Sequence, residues 1–394
     1  MTKLLELETA QARLLNLAAL QPVQNLPVTD CLHHYLTEPL RALRNHPAAD
    51  LSAMDGYAVG EASAKTFRVL GESAAGRPFH GRLSAHDAVK VSTGALVPAG
   101  TQAVWPREIC HADGLHVLLI GKAPDPPDAF IRRLGSDFQD CDDLLSAGTR
   151  IEAGAIALAL LGGHATLPVR RKPKVALVQT GDELVGAQPT CHEHQVVACN
   201  GPMIAAKLAN MPCTTHLLPV APDELTPLLQ TLEACSDADV IVTIGGASVG
   251  DHDLVRKALT MWGAAHEFWG VAVKPGKPLL VAMRGSQIVV GLPGNPVSAF
   301  VTAFLFLLPL LRHMLGAKEP MPEAMHLPIG SGLPEGGTRR EFLRARLESG
   351  VLQLSGAQHS NMVLGLAQST HLIDRTATAP ALAQGSVVRC YSLL

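Results

Sequence analysis

Apolar positions change their period along this chain, and the changes mark units. In residues 1–20, leucines stand at 4, 5, 7, 14, 15, 17 and 20, close to helical spacing, which predicts one amphipathic helix ending before Pro22. Such a stripe must cover the chain's own core or a second copy. Over 65–140 the texture becomes short apolar runs between Gly/Pro turns, at 67–70, 88–91, 103–105 and 115–120, predicting a β-rich module. An apolar helix over 151–161 stops at Gly162-Gly163, and the basic, Pro-containing stretch 167–174 reads as a connection. The run 175–178 then opens a βαβ series: helix 201–210, strand 215–220, helix 223–235, strand 239–244. Right-handed crossovers make that sheet parallel. A helical pattern over 254–262 and a strand at 288–290 follow. The longest apolar run, 297–311, is too short for a membrane span and is broken by Ser298, Thr302 and Pro309, so it predicts a core helix. From Pro320 alternation returns, at 341–347, 351–354 and 385–391, predicting a small β-barrel-like domain of about seventy residues.

Composition bounds this picture without changing it. A chain of 394 residues exceeds the size of a single core, so two to four domains are expected. With 47% hydrophobic and 17% charged residues the chain is globular rather than disordered. A net charge of −3 gives no overall basic field for nucleic acid or an anionic membrane, and neither partner is expected. The eight cysteines show no Cys-x-x-Cys and no paired spacing, which predicts reduced thiols and a cytoplasmic protein. The opening MTKLLELETAQARLL carries acids in its first turns and no apolar signal region.

Candidate chemistry concentrates between residues 239 and 300. The run Val240–Ile244 delivers its C-terminal end to Gly245-Gly246-Ala247-Ser248-Val249-Gly250-Asp251-His252-Asp253, and the ends of such strands are where open α/β sheets bind ligands. Small residues, a hydroxyl and two acids there suit exposed amides beside a metal-binding carboxylate. In KPGKP (274–278), Lys274 and Lys277 stand three apart on a backbone stiffened by two prolines, so two ammonium groups are presented to one anion at reduced entropic cost. GLPGNPVS (291–298) is a rigid turn opening an apolar helix whose dipole points at the turn. Three strand ends thus converge on an anion, a phosphate or another oxyanion. Asp182, Glu183, Asp223, Asp251 and Asp253 all follow strands, and several acids beside two lysines suit Mg²⁺ next to a phosphate. Some of these acids serve equally well as helix N-caps. Asp55-Gly56 reads on pattern alone as a turn between extended pieces, and a lone arginine on a strand, such as Arg344, as a surface residue.

Six ordered blocks carry a resemblance. SAMDGYAV (52–59), STGALVP (92–98), QTGDELV (179–185), GGASVGDHD (245–253), KPGKP (274–278) and GLPGNPVSA (291–299) together resemble the MoeA family of molybdopterin molybdenumtransferases, which includes the gephyrin E domain, over essentially the whole chain. The resemblance implies a multidomain α/β plus β fold. Its centre would be a MogA-like α/β domain with a mostly parallel sheet at 173–317. A helical, extended dimerisation region would lie at 1–22 and 141–172, a β-rich domain at 23–140, and a β-barrel domain at 318–394. It implies a transferase acting on molybdate and adenylylated molybdopterin, releasing AMP, with Mg²⁺. Lys274, Lys277, Pro293, Pro296, Ser298, Arg344 and Ser360 would bind molybdate. Thr180, Gly181, Gly245, Gly246, Ser248, Gly250 and Asn295 would bind nucleotide and pterin. Glu183, Asp223 and Asp253 would act at the pyrophosphate, with Glu183 and Asp253 on the metal. Asp55 and Thr93 would act from the β-rich module across the cleft of a homodimer. Contacts with the pathway's adenylyltransferase and with molybdoenzyme maturation proteins are also implied. The chain departs from the family pattern at His359, Cys141 and Met211, where glycines are usual, and at Gln102, where an acid is usual; these departures suggest a divergent paralogue. Two other functions fit parts of the pattern: the preceding adenylyltransferase step, whose loop resembles 245–253, and a binding scaffold without catalysis.

Overall fold

The computed structural model describes residues 4–188, 190–246 and 254–393. Its centre is a six-stranded sheet in the order Thr214–Leu217, Lys174–Gln179, Val240–Ile244, Gln287–Leu292, Leu280–Arg284, Ala265–Trp269. The first four strands run parallel, as the crossovers require. Leu280–Arg284 alone runs opposite, antiparallel to both of its neighbours, in keeping with a mostly parallel sheet. Arg284 pairs directly with Gln287 across Gly285-Ser286, so no room exists for a crossover helix and the chain must turn back as a hairpin; Gly285 takes the positive φ of 59° that this tight turn needs.

Both faces of the sheet are covered. Helices Leu225–Glu233 and Leu254–Met261 bury Leu228, Leu232, Val255 and Leu259 on one side. On the other side lie Asn200–Leu208 and the long helix Pro296–Met314, four-fifths of whose apolar window is buried inside the protein (83%), so it is a core helix. The helix Leu7–Leu17 buries Leu7, Ala10 and Leu14 in the same core, so the leucine stripe is covered by this chain. Pro309 has no N–H to offer the Leu305 carbonyl, and Gln11 Nε2 donates to that oxygen instead, at 2.8 Å. The helix widens into a π turn over Ala303–Leu307, just before that proline.

Strand pairing crosses the boundary expected at residue 23. Val23–Pro27 pairs with Thr166–Arg170, and Leu40–Arg41 with Asp143–Leu145. Residues 23–41 therefore belong with 143–170, around a small core of Val28, Leu36, Ile151 and Val169. The β-rich module is a six-stranded sheet in the order Ala103–Pro106, Gly56–Val59, Asp87–Val91, Thr66–Ser73, His116–Leu119, Cys110–Ala112. The C-terminal sheet runs Val273–Lys274, Arg340–Glu348, His371–Arg375, Val387–Ser392, Met325–Pro328. His371–Arg375 is buried along its whole length despite its charges. Arg340 answers Asp374 with two hydrogen bonds of 2.6 Å, and the Tyr391 hydroxyl donates a third. Arg340 also pairs with Glu8 of the first helix.

Candidate active site

A cleft of about 830 Å³ opens at the C-terminal ends of the parallel strands. Its walls carry Gln179 and Glu183 after the first strand, Gly246 after Val240–Ile244, and Pro293, Gly294, Asn295 and Pro296 after Gln287–Leu292. Val196–Asn200 and Pro278 add to one side, and Asn361 and Val363 of the C-terminal domain close another.

Local hydrogen bonds fix these walls. Gln179, buried at the strand end, accepts the Gly201 amide at 2.7 Å through Oε1, which anchors the start of the helix Asn200–Leu208. Asn200 Nδ2 donates to the Gly294 carbonyl at 2.7 Å. The Val297 amide donates to the Ser360 carbonyl at 3.1 Å, tying the C-terminal domain to the opening of the long helix. Two glycines are dictated by space. A Cβ on Gly245, whose φ is 96°, would lie 2.8 Å from the Thr180 carbonyl. One on Gly181 would lie 2.6 Å from Glu183 Oε2, so glycine at 181 lets the Glu183 carboxylate fold back onto the turn. Beside them Thr180 Oγ1 donates to Asp223 Oδ1 at 2.6 Å, and the Asp223 amide donates to Asp182 Oδ1 at 3.0 Å. Asp182 and Asp223 are thus tied together beside Thr180 at this rim.

The structure brings together Glu183, Gly246, Pro293, Asn295 and Pro296 on the cleft wall, with Thr180, Gly181, Gly245 and Asp223 immediately behind. Lys274 and Lys277 are exposed on the turn that Pro278 joins to the cleft. Lys274 Nζ pairs with Glu341 Oε1 at 2.9 Å because Val273–Lys274 lies alongside Arg340–Glu341 in the C-terminal sheet. Lys277 meets no carboxylate among the described residues. Ser298 is buried at the start of the long helix, and Ser360 is half-buried. Ser248, Gly250 and Asp253 lie outside the described residues.

Arg344 departs from the expectation of a cation open to an anion, and from that of a surface residue. It is 1% exposed, and its guanidinium donates to the carbonyls of Ala357, His359 and Met362 at 2.6, 3.1 and 2.5 Å. Burial pushes its pKa down. Its side chain clamps the loop that carries Ser360 and Asn361, and so acts on the cleft through that loop. Arg344→Leu leaves three carbonyls unpaired, and a loss of about 2–3 kcal/mol in urea unfolding is expected.

Asp55 and Thr93 stand apart from the cleft. They sit in the β-rich module, where Asp55 lines a separate hollow of about 280 Å³ with Glu72, Lys90 and Arg107. The Thr93 amide and hydroxyl both donate to Asp55 Oδ1, at 2.7 and 2.9 Å. These bonds, the amide first, hold the exposed Asp55 carboxyl below its ordinary range. In Thr93→Val the amide bond remains and only the hydroxyl bond is lost, so the Asp55 midpoint is expected to rise part of the way back, which carboxyl NMR titration reads directly.

Sequence reasoning missed Gln179, Asn361 and the wall Val196–Cys199. A glutamine ending a wholly apolar strand was the available signal for the first.

The donor set also tests the fit of Mg²⁺. Among the described residues no three His, Cys, Asp or Glu side chains converge. Magnesium commonly takes one or two carboxylates together with substrate phosphate oxygens, however, and Glu183 on the cleft wall meets that requirement.

Comparisons with known proteins bear on this geometry. Residues 5–163 match the family described as "MoeA N-terminal region (domain I and II)", and residues 176–313 match the "Probable molybdopterin binding domain". A molybdopterin molybdenumtransferase from Haemophilus influenzae is 32% identical over 80% of this chain and 79% of its own length. One from a Nostoc species is 30% identical over 86% and 81%. Among solved structures, two of the molybdopterin biosynthesis MoeA protein from Pyrococcus horikoshii superpose with TM-scores of 0.77 and 0.81 at 25% and 24% identity. They cover 100% and 99% of this chain and all of the matched chains.

Proposed function

The chain belongs to the MoeA family of molybdopterin molybdenumtransferases, and from that membership we propose how its cleft inserts molybdenum during molybdenum cofactor biosynthesis. The substrates in this reading are molybdate and adenylylated molybdopterin. The two dithiolene thiols bind molybdate and one molybdate oxygen leaves as water with their two protons; water attacks the pyrophosphate, the bond from phosphorus to the bridging oxygen breaks, and AMP leaves while the other phosphate stays on the pterin. The cleft of about 830 Å³ at the strand ends, with a two-lysine turn at its edge, is the observation that carries the proposal.

Such a reaction asks the protein for position and charge rather than a nucleophile. Lys274 and Lys277 offset the charge of the oxyanion. Pro293, Asn295 and Pro296 shape the turn against which it sits, and Ser298 and Ser360 flank that turn. Thr180, Gly181, Gly245 and Gly246 let the nucleotide approach the backbone closely, and Ser248 and Gly250 are assigned to the same ligand. Glu183 and Asp253 would hold Mg²⁺, which when bound supplies positive charge to the pyrophosphate; Asp223 orients the attacking water. Arg344 holds the loop of Ser360 in place. Asp55 and Thr93 complete the site from a second copy of the chain, in a homodimer of the cytoplasm. Eight free cysteines support that compartment. The adenylyltransferase alternative is not favoured, since the molybdenumtransferase relatives match across most of the chain.

Incubation of the purified protein with adenylylated molybdopterin, molybdate and Mg²⁺ is expected to release AMP in step with molybdenum-bound cofactor. Consumption of ATP without AMP release from that substrate would assign the earlier step instead. Release of neither product would leave a scaffold.

A further inference from the structure

A second hollow, of about 580 Å³, lies away from the cleft, where the 150–152 segment meets the far ends of two core helices. It is lined by Arg150, Lys207 and Arg312, with His33, Glu152 and Asn210 as its remaining polar side chains. The charges do not balance. Among the described residues Glu152 is its one carboxylate, and that group is already shared, 3.0 Å from Arg150 and 3.3 Å from His33 Nδ1. Among the described residues Arg312 donates to the Pro320 carbonyl at 3.3 Å and meets no carboxylate. Lys207 donates to the Leu393 carbonyl at 2.6 Å, with the rings of Phe300 and Phe304 at 5.6 and 6.0 Å from its ammonium group. Among the described residues, three cations against one carboxylate leave an excess of two positive charges in the recess.

Burial and the neighbouring cations act on these groups together. Burial, then the nearby Arg312, pushes the Lys207 pKa down. Burial pushes Arg312 down, an upward pull from Tyr35 opposes it, and Arg150 adds a smaller downward push. Cations that destabilise one another in a recess are relieved by a bound anion, and guanidinium groups match tetrahedral oxyanions with paired hydrogen bonds.

We propose that this hollow is a second oxyanion site, taking a phosphate-class dianion between Lys207, Arg312 and Arg150. Its position links it to the cleft. The helix Asn200–Leu208 carries Asn200 on the cleft wall and Lys207 in the hollow. The helix Pro296–Met314 likewise carries Pro296 at one and Arg312 at the other. An anion bound here fixes the far ends of the two helices whose near ends shape the cleft.

The probe is inorganic phosphate, titrated by calorimetry and thermal unfolding against chloride at equal ionic strength. Phosphate is expected to bind with a Kd below about 1 mM and to raise the unfolding temperature. Arg312→Gln and the more exposed Arg150→Gln should each weaken it about tenfold or more, and the second cannot be dismissed as misfolded. Lys274→Ala must leave this binding intact, which separates it from the oxyanion chemistry of the cleft. Sulfate and molybdate run alongside phosphate resolve whether shape or phosphate itself is read. The proposal is overturned if no oxyanion shifts unfolding beyond chloride, as when a carboxylate of the chain itself fills the recess. It is equally overturned if Lys274→Ala abolishes the effect while Arg150→Gln and Arg312→Gln preserve it.

Discussion

Lys274→Ala is expected to lower kcat/KM for molybdenum insertion by about 10²–10³ while changing global stability by less than about 1 kcal/mol. The two halves of that expectation have different causes. The Lys274 side chain is 57% exposed and its pair with Glu341 is screened by water, so the fold gains little from it. Glu341 itself is only 10% exposed on its side chain and sits on the strand that aligns the lysine turn. Without the ammonium, its carboxylate faces the place an oxyanion is meant to occupy, so the site loses an attraction and gains a repulsion. The double variant Lys274→Ala/Glu341→Gln should therefore recover part of the lost rate, although it restores no cation. AMP release kinetics together with urea unfolding test both halves. Activity near wild type in Lys274→Ala would remove the lysine turn from the mechanism.

The parallel strands Lys174–Gln179, Val240–Ile244 and Gln287–Leu292 were legible because each is a short run rich in β-branched residues that ends in a Gly-containing turn, and burial on both faces demands such runs. The acids that follow them were legible for the same reason: loops after parallel strands share one rim. The antiparallel hairpin Leu280–Arg284 to Gln287–Leu292 hid its direction in the absence of a helix between the strands, a feature of spacing rather than pattern. His371–Arg375 was invisible because its polar residues are buried by long-range partners. Asp374 needs Arg340, thirty-four positions earlier, and no local rule pairs them. Arg344 failed in the same way: its partners are the carbonyls of a loop, and carbonyls leave no mark in a sequence.

Asp55 poses the opposite problem, since the resemblance assigned it a role that its own chain gives it no means to perform. Its hollow and the cleft share no lining residue; in the homodimer proposed above, a common site would be built from two copies of the chain. Complementation decides the matter. Asp55→Ala and Lys274→Ala are each expected to be nearly inactive alone. After mixing equal amounts and allowing subunits to exchange, about half of the dimers carry one chain of each kind. In such a dimer one site unites both lesions, and the other takes its lysine and its aspartate from undamaged positions. Roughly a quarter of all sites are then intact, and about a quarter of wild-type activity should return. If Asp55 instead served the cleft of its own chain, every site in every dimer would hold one lesion and mixing would restore nothing. Size-exclusion chromatography with light scattering on the same mixture confirms that dimers are present, so an absence of recovery in dimeric protein would rule out a site shared between subunits.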